Sequence, residues 1–289
     1  MKQRLEHIDV LSIITILILA IVSIAGVLSL DFSKSYEVVN QYGDSVKIYG
    51  NGIYAHDSYL KAPIYIGTDF AILLVVVPLF VCSFIRNKKN RTQKTKLNLL
   101  SIYSAALYYA ASISFGVTYN RLHLLYIALF SCTLFGVFSL ARKIDTKELS
   151  YVTTKGTSIF LVLTGVALIA AWMPDIIPTI FTEKSLSLIE VYTTEITYVL
   201  DMGIIGPLCF VCLYLLRKKD ELGTVLLGVL LKCCIVVGIM MIPQTICQII
   251  SGYETTLPIL ITKSGSFVLL GGFALYFNHK LYSSNPQVC

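Results

Sequence analysis

The sequence predicts an all-α fold: a polytopic transmembrane helix bundle of about eight spans, with both termini cytoplasmic and a small extracytoplasmic β-hairpin in the first outer loop. Composition is the first reason, because the 289 residues are 56% hydrophobic and only 14% charged, with a mean hydropathy of +0.75. A soluble domain of this length would need more charge to cover its surface. Eight apolar runs and an alternating distribution of basic residues between them are the other two reasons.

Each apolar run approaches the roughly 20 residues that a helix needs to cross a hydrocarbon core of ~30 Å. The runs are continuous rather than alternating, which excludes a membrane barrel and favours helices, whose backbone groups are satisfied internally. We therefore expect a single integral membrane domain over residues 1–289. The runs lie near residues 8–30, 64–85, 97–118, 122–141, 156–174, 194–216, 222–243 and 259–278.

Basic residues predict the orientation of the spans, because cytoplasmic loops are enriched in Lys and Arg. Of the 23 Lys and Arg residues, sixteen fall on the side that holds both termini, six fall on the other side, and Lys232 lies within a span. The net charge of +6 follows from this bias, so no nucleic-acid partner is expected and the partner is the lipid bilayer. The sixteen are Lys2, Arg4, Arg86, Lys88, Lys89, Arg91, Lys94, Lys96, Arg142, Lys143, Lys147, Lys155, Arg217, Lys218, Lys219 and Lys280.

The first outer loop, 31–63, is predicted to form a cap over the bundle. Val46-Lys47-Ile48-Tyr49 and Ile53-Tyr54-Ala55-His56 flank a Gly-Asn-Gly sequence. Asn-Gly between two such runs is a hairpin signal, which predicts a β-hairpin over 46–56. In a later outer loop, residues 185–192 are expected to form a short interfacial helix that leads into the sixth span.

Polar side chains concentrate where this loop enters the second span, in the stretch GNGIYAHDSYLKAPIYIGTD over residues 50–69. The short connection after the third span adds more polar groups on the same expected face. The candidate ligand-binding residues on this side are Tyr54, His56, Asp57, Lys61, Asp69, Tyr119 and Asn120.

Three ionisable residues lie inside predicted spans: Asp69, Asp201 and Lys232. A charge at such depth costs ~3 kcal/mol or more unless it is paired or hydrated, so these side chains should face the bundle interior. The sixth and seventh spans form a predicted hairpin, which favours an ion pair between Asp201 and Lys232. Gly206-Pro207 follows Asp201, and the proline is expected to distort the helix beside the carboxylate. The pair is either a binding element or only a contact that fixes helix packing.

These residues together predict a polar funnel open to the outer face, which suits the binding, transport or sensing of a small polar solute or ion. An alternative is an outer-leaflet enzyme, with His56, Asp57 and His123 as metal ligands. A third interpretation is a structural or assembly subunit whose polar residues fix helix register. The sequence specifies no cofactor and no oligomeric state.

Several motifs resemble an uncharacterised family of prokaryotic multi-span membrane proteins. The first is G-x-Y-x-H-D-S-x-x-K-A followed by G-x-D, which runs here from Gly52 to Asp69, and the second is F-G-x-x-Y-N from Phe115 to Asn120, followed by the 124–131 run. Asp201-Met202 and Lys232 also fit, although Cys233 stands where the family has Gly. The resemblance implies a cytoplasmic membrane protein of a prokaryote and implies no activity.

Overall fold

A computed structural model describes residues 6–149, 151–182, 185–186, 188–252 and 257–283, the last range with side chains from residue 264 onward. Within these ranges the chain forms eleven α-helices and one two-stranded sheet. The helices are α1 His7–Val27, α2 Lys61–Ala71, α3 Val77–Lys89, α4 Gln93–Gly116, α5 His123–Ala141, α6 Lys155–Ala170, α7 Met173–Ile180, α8 Ile196–Leu200, α9 Gly206–Arg217, α10 Glu221–Ser251 and α11 Leu257–Ser283; the strands are β1 Tyr36–Val39 and β2 Ser45–Ile48.

Among the described residues, six helical segments are long and apolar enough to cross a membrane, or seven if α6 and α7, which meet at a 41° bend, count as one broken span. Each of the eight apolar runs overlaps a helix or a pair of helices, so the expectation of a helical, membrane-compatible chain is confirmed at this level. The eighth run lies in α11, and the side chains of residues 257–263 within it fall outside the described residues.

Two spans are interrupted by a short π-helix that ends just before a proline. Ile72–Val76 joins α2 to α3 ahead of Pro78, and Asp201–Ile205 joins α8 to α9 ahead of Pro207. Proline lacks a backbone N–H and crowds the preceding turn, and a π-helix is one way for a helix to absorb that defect. The distortion expected beside Asp201 is therefore present as a π-helix.

The two π-containing spans occupy corresponding places in the two halves of the helix order. Each follows an apolar helix and precedes two further helices, and each carries a buried aspartate, Asp69 or Asp201. Within the first half α4 packs against α3 and α5, and within the second half α10 packs against α9 and α11. No repeat is evident from the residues themselves, so this likeness of the halves is a finding of the structure.

Helix α10 lies at the centre of the bundle and packs against α2, α4, α9 and α11. Two glycines let it approach its neighbours closely. A Cβ added to Gly67 of α2 would lie 2.4 Å from Gln244 Cα, and one added to Gly238 of α10 would lie 2.9 Å from Gly271 Cα. Small residues at such crossings bring helix backbones together, as is common in membrane bundles.

The hairpin is formed by different strands from those predicted. β1 pairs with β2 in antiparallel register, with Tyr36 opposite Ile48, whereas residues 52–54 form a 3-10 turn. The Gly-Asn-Gly sequence instead fits against the end of α1, where Asn51 Nδ2 donates to Ser29 O over 3.1 Å. Gly52 has φ +62° and no room for a Cβ beside Ser29. The prediction of a hairpin over 46–56 was therefore wrong, because the Gly-Asn-Gly sequence packs against the end of α1 instead of forming a turn between two strands.

Candidate functional site

Asp57 lies in the turn before α2 and is fully buried. Its Oδ1 accepts hydrogen bonds from the Thr118 backbone N and from the Tyr192 hydroxyl, both at 2.9 Å. Burial raises the pKa of Asp57 to about 7, and the two hydrogen bonds oppose that rise by favouring the charged form. The carboxyl group thus ties three loops together at the end of the bundle that carries the hairpin, which we call the hairpin end.

The residues before α8 pack against the hairpin and the start of α2. Asn40 Nδ2 donates to Glu190 O over 2.9 Å, and Ser58 Oγ donates to the Glu190 carboxylate. Burial is also the main cause that raises the pKa of Glu190. The short helix expected over 185–192 is wrong for the residues described there: Glu190 has a φ of 49°, which a right-handed helix excludes, because its backbone follows the hairpin surface.

Lys61 and Glu195 form an ion pair at the hairpin end, with Nζ 2.6 Å from Oε1. Lys61 is the first residue of α2, and Glu195 immediately precedes α8. Their side chains are only 14% and 10% exposed, so solvent screens the pair weakly. The pair connects the entrances of the two π-containing spans.

Asp69 is fully buried in α2 and accepts a hydrogen bond on each carboxylate oxygen. The Tyr54 hydroxyl donates to Oδ2 and the Tyr109 hydroxyl donates to Oδ1, both at 2.5 Å. The carboxylate therefore connects the 52–54 turn, α2 and α4. Both tyrosines are also buried, so the Asp69 carboxylate forms a buried junction between these three elements.

Asp201 also accepts from two aromatic donors. The Tyr108 hydroxyl donates to Oδ1 over 2.8 Å, and Trp172 Nε1 donates to Oδ2 over 3.0 Å. Among the described residues Asp201 has no ion-pair partner, so the predicted pair with Lys232 is not formed. The neighbours of Lys232 on α10, Cys233 and Cys234, face the space beside Asp201 instead.

Asp201 lies at the edge of a cavity of about 380 Å³ between α2, α4, α8, α10 and α11. This volume falls within the ~300–1,000 Å³ that is typical of small-molecule sites. Most of the wall is apolar and includes Ile64, Ile113, Met240 and Met241. The polar wall includes Lys61, Thr68, Tyr108, Trp172, Asp175, Glu195, Tyr198, Asp201 and Gln244.

A stacked aromatic pair forms one side of the cavity. The rings of Trp172 and Tyr198 are nearly parallel, with centroids 4.6 Å apart. Each ring carries a hydrogen bond to a different carboxylate: Trp172 donates to Asp201, and the Tyr198 hydroxyl donates to Asp175 over 2.8 Å. Two acidic side chains are therefore held by the same rigid aromatic unit.

A second, small void of about 20 Å³ continues beyond Asp201 and is large enough for one water molecule. It shares Tyr108 and Asp201 with the larger cavity. Thr164 lines it, is buried, and has an Oγ1 without a hydrogen-bond partner in the described part of the chain. One polar group beside Asp201 is thus left without a partner among the described residues.

The predicted polar residues do not converge on a single funnel. Lys61 and Asp201 line the cavity, whereas Tyr54, Asp57, Asp69 and Asn120 are buried in contacts between loops and helices. Residues outside both the cavity wall and these contacts include His56, Tyr119 and Lys232, of which His56 and Tyr119 are exposed at the surface.

The expected metal set of His56, Asp57 and His123 is not assembled. In the described ranges no three His, Cys, Asp or Glu side chains are grouped so as to hold a metal ion. The physical reason is that the consecutive residues His56 and Asp57 point in opposite directions, one to the surface and one to the interior. Position in the sequence placed them together, but the turn before α2 separates their side chains.

Several cavity residues were not singled out from the sequence, chiefly Trp172, Asp175 and Glu195. Trp172 is the single tryptophan of the chain, and Asp175 follows it closely in the broken span. An aromatic residue near an acidic residue at the break of an apolar run was the available signal.

Comparison of the chain with models of known protein families, with curated proteins and with solved structures gives no match.

Proposed function

We propose that the chain is an integral membrane protein of about eight spans, with cytoplasmic termini, in a prokaryotic cytoplasmic membrane. In this proposal its bundle binds a small polar solute or ion in the 380 Å³ cavity, as a step in transport or sensing. The observation that carries the proposal is the cavity itself, which reaches from the Lys61–Glu195 ion pair to Asp201. Asp201 lies six residues beyond Glu195, about 9 Å further along a helix.

The chemistry of the wall supports a solute that is polar in part. Ionisable groups within a span are costly, and where they occur they usually mark a solute pathway or a binding site. Asp201 faces a ligand-sized space, and no complementary charge of the described residues pairs with it. An ordinary packing role would fill that space with side chains, because protein interiors are closely packed.

The π-helix that begins at Asp201 supports a site with some freedom to change shape. Such helices are rare and occur frequently at functional sites, since they rotate side chains relative to a regular helix. Here the distortion starts at the carboxylate that borders the cavity. The second π-helix follows α2, which forms part of the opposite wall.

Cavity-filling variants test the proposal. Ser112→Phe and Thr197→Phe each place a ring into the cavity from a different helix, whereas Thr193 is exposed and outside the wall, so Thr193→Phe is the matched control. The dialysable small-molecule fraction of a prokaryotic lysate should raise the unfolding temperature of the wild type and of the control, because ligand binding stabilises the folded state. It should raise that of the filled variants less. No rise in the wild type, or an equal rise in all four proteins, would overturn the proposal.

A further inference from the structure

The charges around the cavity are unequal. Its described wall contains three carboxylates, Asp175, Glu195 and Asp201, and one ammonium group, that of Lys61. The Lys61 ammonium is already paired with Glu195 at 2.6 Å. Asp175 and Asp201 accept hydrogen bonds from neutral aromatic donors, and neither has an ion-pair partner among the described residues.

The donors indicate that Asp201 acts as an acceptor on both oxygens. An indole N–H can only donate, so Trp172 Nε1 requires an acceptor at Oδ2, and the Tyr108 hydroxyl donates to Oδ1. This arrangement suits a carboxylate that keeps lone pairs available for a further donor. The Thr164 hydroxyl, buried without a partner in the adjoining void, provides another polar group at the same place.

Aromatic rings lie beside this carboxylate. Trp172 stacks on Tyr198, and Phe267 lies 6.4 Å from Trp172 between ring centroids. The face of an aromatic ring attracts a cation within about 6 Å, and tryptophan does so best. Against the described wall, an anion would meet an excess of carboxylates in a poorly screened space, so an anion is disfavoured.

The wall also discriminates between kinds of cation. A bare Na⁺ or Ca²⁺ ion needs several oxygen ligands around one point, and Ca²⁺ takes about six to eight of them. Most of this cavity is apolar, and two flexible methionines, Met240 and Met241, contribute to it. Such a surface suits a ligand with an apolar body.

We propose that the cavity binds an organic cation, an ammonium group joined to an apolar or aromatic body, with the ammonium at Asp201 and against the Trp172–Tyr198 pair. This assignment rests on the proposed function and adds the chemical class of its solute. The cavity of about 380 Å³ accommodates a body of one or two small rings.

Three probes of nearly the same shape test the assignment on the purified full chain. They are 2-phenylethylammonium, neutral 2-phenylethanol and anionic phenylacetate, each titrated calorimetrically at one ionic strength. The cation is expected to bind about tenfold or more tightly than the neutral probe, because a charged hydrogen bond is stronger than a neutral one. The anion is expected to show no binding. Equal binding of the cation and the neutral probe, or tighter binding of the anion, would overturn the assignment of an organic cation. Neither result would overturn the proposal that the cavity binds a solute.

Variants of the chain test where the ammonium group of the ligand binds. Asp201→Asn should reduce cation binding to the level of the neutral probe while leaving the neutral probe unchanged, and Asp44→Asn, at an exposed hairpin position, is the control. If Asp201→Asn does not fold, Asp175→Asn tests the same aromatic unit and should weaken the cation severalfold. An unchanged cation affinity in the folded variant would overturn the assignment. If none of the three probes binds but the lysate fraction stabilises the wild type, the organic cation is refuted and the proposed function is not. If no probe binds and the lysate fraction does not stabilise the wild type either, the proposed function is refuted as well.

Discussion

Gly26 of α1 lies directly against the carboxylate of Asp69: a Cβ built on Gly26 would stand 1.6 Å from Asp69 Oδ2. Only the absence of a side chain on α1 leaves room for the oxygen that accepts from Tyr54. One glycine thus determines whether α1, α2, α4 and the 52–54 turn can share a single buried carboxylate. This junction stabilises the hairpin end and adjoins the cavity, because Tyr109 also lines the cavity wall.

Gly26→Ala should therefore destabilise the protein strongly. The added methyl forces Asp69 away from Tyr54 and Tyr109, and overpacking together with a poorly paired buried carboxylate costs about 3 kcal/mol or more. The unfolding temperature in detergent measures the effect. Gly272→Ala is the control, since a Cβ at Gly272 meets nothing within 4 Å and should change stability by less than about 1 kcal/mol. Equal effects of the two variants would contradict the tight contact.

Replacing one partner of the Lys61–Glu195 pair should lower the free energy of unfolding more than replacing both partners. Lys61→Met leaves the largely buried Glu195 without its cation, which costs up to about 3–5 kcal/mol, the range that is typical of a fully buried pair. The double variant Lys61→Met with Glu195→Gln should recover most of that loss. Unfolding temperatures of the two single variants and the double variant complete the cycle, and additive losses would show that the two side chains do not interact.

The raised pKa of Asp57 predicts how the stability of the protein depends on pH. Its pKa is about 7 in the folded chain and about 4 when unfolded, so the folded state holds the additional proton between these values. The free energy of unfolding should then fall as pH rises from about 4 to 7, by up to about 4 kcal/mol from this group.

Asp57→Asn should remove this contribution, because the amide oxygen still accepts from Thr118 and Tyr192 but does not titrate. Relative to wild type, the variant should gain stability progressively as pH rises from 4 to 8. Asp44→Asn, at an exposed position in the hairpin turn, should parallel wild type throughout. A constant difference between wild type and Asp57→Asn would show that the carboxyl group keeps its ordinary pKa.

The proposed topology makes its own prediction. Green fluorescent protein fused at the C-terminus should fluoresce, since it folds in the cytoplasm, and alkaline phosphatase inserted after Gly43 in the exposed hairpin turn should be active. Phosphatase fused after Asn90, in a basic connection, is the inactive control. Activity after Asn90 and none after Gly43 would invert the orientation.

The hydropathy and the length of an apolar run are local properties, and they predicted where the helices lie. The direction of a side chain between two helices is not local. Asp201 and Lys232 were singled out because a charge within a span is costly, but their pairing depended on helix rotation. Asp201 accepts instead from aromatic donors on α4 and beside α7. Likewise, the backbone preference of the Gly-Asn-Gly sequence suits both a hairpin turn and the contact that it makes with the end of α1. The sequence alone therefore did not distinguish the two structures.

The central claim is that polar solutes reach the cavity, and thiol labelling in native membranes tests it most directly. Ser112 lines the cavity and Ser101 is fully buried elsewhere on the same helix, so Ser112→Cys and Ser101→Cys form a matched pair. The reagent is the water-soluble 2-(trimethylammonium)ethyl methanethiosulfonate, and intact mass counts the adducts against the native cysteines of the wild type. The account predicts one additional adduct on Ser112→Cys and none on Ser101→Cys. A Ser112→Cys protein with the same adduct count as wild type would contradict it.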